Sequence, residues 1–87
     1  MVFANYTLNS INLENEIKNI FFEIFPNISS ENFDWKKHQK DYENWDSFAQ
    51  LHLITLTESK FDIEIGLDES ISITSAQDLL DCVKSLI

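Results

Sequence analysis

Three stretches of this chain carry apolar residues at helical spacing. The first runs from about Leu13 to Phe25, where Leu13, Ile17, Ile20, Phe21 and Ile24 follow an i, i+4, i+7, i+8 rhythm. Asn12 is a suitable N-cap, and Glu14 and Glu16 suit the positive end of a helix. Phe22 and Phe25 widen the stripe, so burial on more than one side is expected. Pro26 ends the helix, because the residue before a proline disfavours helical angles. The second stretch runs from about Ser47 to Lys60 behind a cap at Asp46. Leu53, Ile54, Thr57 and Phe61 share one of its faces; Phe48, Leu51 and Thr55 share another at i, i+3, i+7. A small bundle cannot easily bury both, so the second face reads as a partner surface. The alternative is a cover supplied by the preceding loop. The third stretch carries Ala76, Leu79, Leu80, Val83 and Leu86, opened by a capping box at Thr74-Ser75-Ala76-Gln77.

The segments between are less regular. Met1 to Ser10 shows no period, and either a lead-in or packing through Phe3 and Tyr6 is open. Asn27 to Asn44 is a long connection that needs anchors in a compact domain, and Ile28, Phe33, Trp35 and Tyr42 are the candidates. Asp34 to Asp41 has room for one helical turn. Gly66 breaks the register, and Leu67 to Ile71 suits one short helix with Asp68 and Glu69 at its start. The expected fold is all-α: a small four-helix bundle with a long loop between helices 1 and 2 and a short third helix. Residues 1–10 form a lead-in and residues 11–87 the domain.

Composition narrows the functions. The 87 residues make one small domain, and 44% hydrophobic content with seven Phe argues against disorder. The net charge is −9, and none of the six basic residues is Arg. Such a chain is repelled by nucleic acid and anionic membranes and attracts basic protein surfaces. Three lysines, Lys36, Lys37 and Lys40, fall in the long connection and read as a solvated charge run. The single cysteine, Cys82, supports neither a disulfide nor a zinc site and reads as a small buried residue of the last helix. No leader-like or membrane-length apolar run is seen, so a cytoplasmic location without membrane insertion is expected.

Catalysis fits poorly. His38 and His52 are the only histidines, and neither has a second ligand at metal spacing. His52 lies five residues from Ser47 on one helix, so the two side chains point in different directions. A single Gly provides neither a nucleophile elbow nor a phosphate-binding loop. Ser47 suits a different chemistry. A phosphodiester there would lie where unpaired backbone N–H groups point, and an exposed first-turn hydroxyl is reachable by a modifying enzyme. Local physics also allows Asp46-Ser47 to be simply a capping pattern.

From Asp46 to about Val83 the chain resembles the acyl carrier protein family. That family has Asp-Ser-Leu at the head of its second helix, Glu-x-x-Phe-x-x-Glu-Ile after it and Ile-Thr-Thr before the last helix. The counterparts here are Asp46-Ser47-Phe48, Glu58-Ser59-Lys60-Phe61-Asp62-Ile63-Glu64-Ile65 and Ile73-Thr74-Ser75, in ungapped register. The resemblance implies a non-enzymatic carrier with 4′-phosphopantetheine covalently attached to Ser47, next to Asp46. It implies docking through Phe48, Leu51, Thr55, Glu58 and Asp62. The expected partners are a phosphopantetheinyl transferase and acyl- or aminoacyl-loading and acyl-accepting enzymes with basic docking surfaces; the carrier itself would be a monomer. A D-alanyl or peptidyl carrier is a close variant. An unmodified acidic interaction module is the alternative.

Departures from the family carry information. Phe48 replaces Leu, and Asn44-Trp45 replaces a Gly-containing approach, as in some specialised carriers. Ala49, His52 and Ser59 stand where fatty-acid carriers are usually acidic. Thr57 stands where a pocket-lining Leu is common, which disfavours long-chain storage in the bundle.

Overall fold

The computed structural model describes residues 2–87, with side chains from Leu13 onward. Four α-helices follow in order: α1 (Val2–Ile24), α2 (Ser47–Phe61), α3 (Leu67–Ser72) and α4 (Ala76–Leu86). One 3₁₀ turn, Gln39–Asp41, lies in the long connection. No strand occurs among the described residues, so the chain is a small all-α bundle.

Helix α1 is the spine, and both α2 and α4 lie against it. Its Ile17, Ile20 and Phe21 are fully buried together with Leu53 and Thr57 of α2, and Leu79 and Val83 of α4. Each such large apolar side chain contributes about 1.5–3 kcal/mol relative to exposure. The buried Thr57 hydroxyl donates to Leu53 O at 2.7 Å, which satisfies it within its own helix. Phe25 is buried and Phe22 half-buried, so α1 is covered on more than one side as its sequence suggests.

Two boundaries differ from the sequence expectation. Helix α1 begins at Val2, so Asn12 is an interior helical residue rather than a cap. No Gly or Pro interrupts residues 2–24, and propagating an existing helix costs far less than starting one. Residues 2–10, expected as a lead-in, are thus helical; packing through Phe3 and Tyr6 lies outside the described side chains. Helix α4 is capped by Ser75, not Thr74: Ser75 Oγ accepts the Asp78 N–H at 3.1 Å. Asp78 reaches back to Thr74, accepting from its N–H and its hydroxyl, each at 3.0 Å. A carboxylate is a stronger acceptor than the Gln77 amide, and it moves the box one residue along.

The long connection is anchored as expected. Tyr42 is buried, and Ile28, Phe33 and Trp35 are half-buried against the core. Phe33 stacks edge-on to Phe22 and Trp35, with centroids 5.9 and 4.9 Å away. Two backbone bonds tie the connection to the start of α4: Gln39 N–H to Thr74 O at 2.7 Å and Gln77 N–H to Trp35 O at 2.9 Å. His38 Nδ1 caps the 3₁₀ turn by accepting the Lys40 N–H. These ties hold the connection against α1 and α4. The outer face of α2 stays uncovered.

Candidate functional site

Asp46 is extended, with φ −101° and ψ −168°, and its Oδ1 accepts the Ala49 N–H at 2.9 Å. The aspartate is therefore the cap. Ser47 is the first helical residue, exposed, with its hydroxyl outside the capping bond. An N-terminal turn leaves backbone N–H groups unused within the helix, and the helix dipole favours negative charge there by about 0.3–1 kcal/mol.

Two residues before Ser47, Trp45 fixes this turn to the core. It is 6% exposed and meets Phe21 and Phe25 at 5.6 Å and Tyr42 at 4.9 Å, the last edge-on. Its carbonyl accepts from Gln39 Nε2 at 3.2 Å, and its indole N–H donates to Gln50 Oε1 at 2.6 Å. Main chain and side chain are both held, so Ser47 projects from a rigid platform.

An open groove of about 650 Å³ lies between α2 and α3. Asp46, Ser47, Gln50 and Leu51 line it from one side, Leu67 and Ile71 from the other. The surrounding apolar side chains are unusually exposed: Phe48 83%, Leu51 65%, Leu67 76% and Ile71 67%. Leu51, Leu67 and Ile71 line the groove and Phe48 stands beside it on α2, which makes this region a candidate interaction surface. Thr55 is also exposed, on the same helix. Sequence periodicity points to Phe48 and Leu51. It does not point to Leu67 and Ile71, because a six-residue helix is too short to show a period; their i, i+4 spacing is the available signal.

The acidic docking candidates diverge. Glu58 is half-buried, and its Oε2 accepts the Ile65 N–H at 2.8 Å, closing the turn after α2. Asp62 is exposed at the left-handed position that ends α2, with φ 55°. Both lie at the far end of α2 from Ser47.

Other reactive groups stand apart. His38 and His52 are exposed, and no group of three metal-capable side chains occurs among the described residues. Cys82 is half-buried, and burial pushes its thiol pKa up, with Glu69 adding to the effect. Tyr42 is raised to about 12, first by burial and then by the Asp34 carboxylate, and its buried hydroxyl has no hydrogen-bond partner among the described residues. The residues at the start of α2 fit an esterified phosphate arm: an exposed hydroxyl outside the cap, the positive end of a helix and a groove beside it.

The fold and site define a small all-helical protein that presents the exposed Ser47 beside a groove lined in part by Leu51, Leu67 and Ile71. The chain matches no protein-family model and no curated protein sequence.

Proposed function

We propose that the protein is an acyl carrier protein, in which Ser47 carries 4′-phosphopantetheine. The observation that carries this reading is the separation of roles at the start of α2: Asp46 caps the helix, and Ser47 stands exposed and uncommitted at the mouth of the groove. Ser47 Oγ would attack the pyrophosphate of coenzyme A on a separate phosphopantetheinyl transferase, giving its proton to a base of that enzyme and releasing adenosine 3′,5′-bisphosphate. When bound, the arm supplies a thiol that holds an acyl or aminoacyl group as a thioester. The chain itself performs no bond chemistry on the cargo; it positions it. A tethered cargo reaches successive enzymes at high effective concentration.

Phe48 and Leu51 supply apolar docking contacts, joined by Leu67 and Ile71 across the groove, and Asp46 and Asp62 supply charge. At a net charge of −9, partners with basic docking surfaces are favoured, and self-association of like-charged copies is opposed. A cytoplasmic monomer is the form proposed. No helix among the described residues is long and apolar enough to cross a membrane.

Incubation with coenzyme A and a broad-specificity phosphopantetheinyl transferase should add the mass of one arm, and Ser47→Ala should abolish it. No mass shift on folded protein would sink the proposal. A second reading is favoured by one observation: the exposed apolar surface of α2 and α3 exists independently of Ser47. It is an unmodified acidic interaction module that binds a basic partner. Protein purified from its natural source separates the two, since a carrier is found with its arm and a module without. A D-alanyl or peptidyl carrier shares the arm and differs in cargo.

A further inference from the structure

Gln50 lies one turn after Ser47, half-buried, with both ends of its amide engaged. Oε1 accepts from the Trp45 indole at 2.6 Å. Nε2 donates to Ser70 O at 2.6 Å and to Ile73 O at 3.3 Å. The chemistry of the partners fixes which way the amide points. An indole N–H can only donate and a carbonyl can only accept, so one face must be oxygen and the other nitrogen. Glutamate would lack the donor and methionine would lack both.

Helix α3 is lightly held by packing. None of its six residues is buried. It is suspended between two buried anchors, Ile65 before it and Ile73 after it. Among the described residues, the Gln50 amide makes the only side-chain hydrogen bond from α2 to α3. Short helices make few internal bonds and rely on tertiary contacts. Gln50 also touches the platform that holds Ser47, through Trp45, and it lines the groove.

We propose that Gln50 is a positioning residue: its single amide holds α3 at a fixed distance from the Ser47 end of α2 and so sets the width of the groove between them. A partner that reads Phe48 and Leu51 together with Leu67 and Ile71 then meets one preassembled surface. The clasp is a property of the fold; only its use by enzymes acting on Ser47 rests on the carrier reading above.

The test is amide hydrogen exchange by NMR on the full chain, unaltered and as Gln50→Glu and Gln50→Met. Glutamate keeps the acceptor for Trp45 and loses the donors to α3; methionine keeps the length and loses both. Exchange at the Ser70 and Ile73 amides should rise at least about 5-fold in both variants, the size expected when one or more hydrogen bonds of about 1 kcal/mol are lost. Exchange at Leu53 and Val83 should rise by no more than the same factor, since global unfolding also breaks the clasp; the Leu67 and Ile71 amide shifts should move while the Leu79 and Val83 shifts hold. The Trp45 indole N–H resonance should move in Gln50→Met and be largely retained in Gln50→Glu, a signature that simple loss of stability does not produce. Unchanged exchange at Ser70 and Ile73 in both variants overturns the proposal. So do Leu67 and Ile71 amide shifts that match the unaltered protein in both variants, which would make Gln50 a stabiliser without a positioning role. Arm transfer to the unaltered protein is measured in parallel; its failure counts against the carrier reading alone and leaves the exchange result standing.

Discussion

Asp46 Oδ1 accepts the Ala49 N–H at 2.9 Å, and this places the helix cap on Asp46 rather than on the serine that follows it. Stability and modification are thereby assigned to adjacent residues. Asp46→Ala should cost about 1 kcal/mol, the usual loss for an N-cap carboxylate. Ser47→Ala should change stability by less than about 0.5 kcal/mol, as for an exposed surface position, while removing the proposed attachment point. Urea midpoints of the two variants measure this directly. Equal destabilisation would show that the hydroxyl also caps.

The outer face of α2 should behave as a binding surface and not as core. Phe48→Ala and Leu51→Ala remove side chains that are 83% and 65% exposed, so each should shift unfolding by less than about 0.5 kcal/mol. Against a phosphopantetheinyl transferase, each should weaken binding by about 1–2 kcal/mol, the range of a moderate apolar hot spot. Titration calorimetry gives the affinity. Undiminished binding in both variants would take this face out of the docking surface.

The sequence makes the helices legible where the punctuation is strong. Pro26, Gly66 and the Asp46 cap mark ends that the structure keeps within a residue or two. The outward turn of Phe48 and Leu51 is also visible, because two apolar faces on one helix cannot both be core in so small a bundle. The misplaced boundaries have a common cause. At Asn12, and at Thr74 beside Ser75, several residues could cap, and the choice is made by partners that a local pattern does not reveal: the unbroken helix upstream in one case, Asp78 in the other. The Gln50 clasp is harder still to foresee, since its acceptors lie 20 and 23 residues away in sequence. Glu58 reads as a docking charge by position along α2, yet its carboxylate is engaged with the Ile65 N–H. Glu58→Ala should therefore destabilise by about 1–3 kcal/mol, leaving that backbone donor unpaired, as calorimetric unfolding can show.

Tyr42 carries a polar atom that the core does not satisfy. Its hydroxyl is buried without a partner among the described residues, so Tyr42→Phe should be neutral or stabilising by up to about 1 kcal/mol while keeping the ring against Phe25 and Trp45. The same burial gives a pH signature. The folded pKa is near 12 against an ordinary 10, so the protonated phenol is favoured in the fold. Its contribution to stability is complete below pH 10 and is lost as pH rises from 10 through about 12. Tyr42→Phe should flatten the alkaline fall in stability over that window, and the late-titrating phenolate absorbance should disappear with it. Retention of that absorbance in the variant would assign the late step elsewhere.

Asp62 joins two properties that can be pulled apart by substitution. It ends α2 at φ 55° and ψ 51°, where any side chain beyond glycine meets steric cost, and it carries a negative charge proposed to face basic partners. Asp62→Gly removes both the cost and the charge. It should stabilise the fold by about 0.5–1 kcal/mol, which for a domain of this size raises Tm by about 2–8 °C. Asp62→Asn keeps a side chain that tolerates the left-handed region and removes only the charge, so its Tm should stay near that of the unaltered protein. Both variants should weaken association with a basic partner equally, and both should show a shallower dependence of association rate on salt. If glycine and asparagine differ in binding as they do in melting, the conformation of this turn rather than its charge governs docking. If neither alters binding, the acidic end of α2 lies outside the contact, and docking rests on Phe48, Leu51 and the α3 side of the groove.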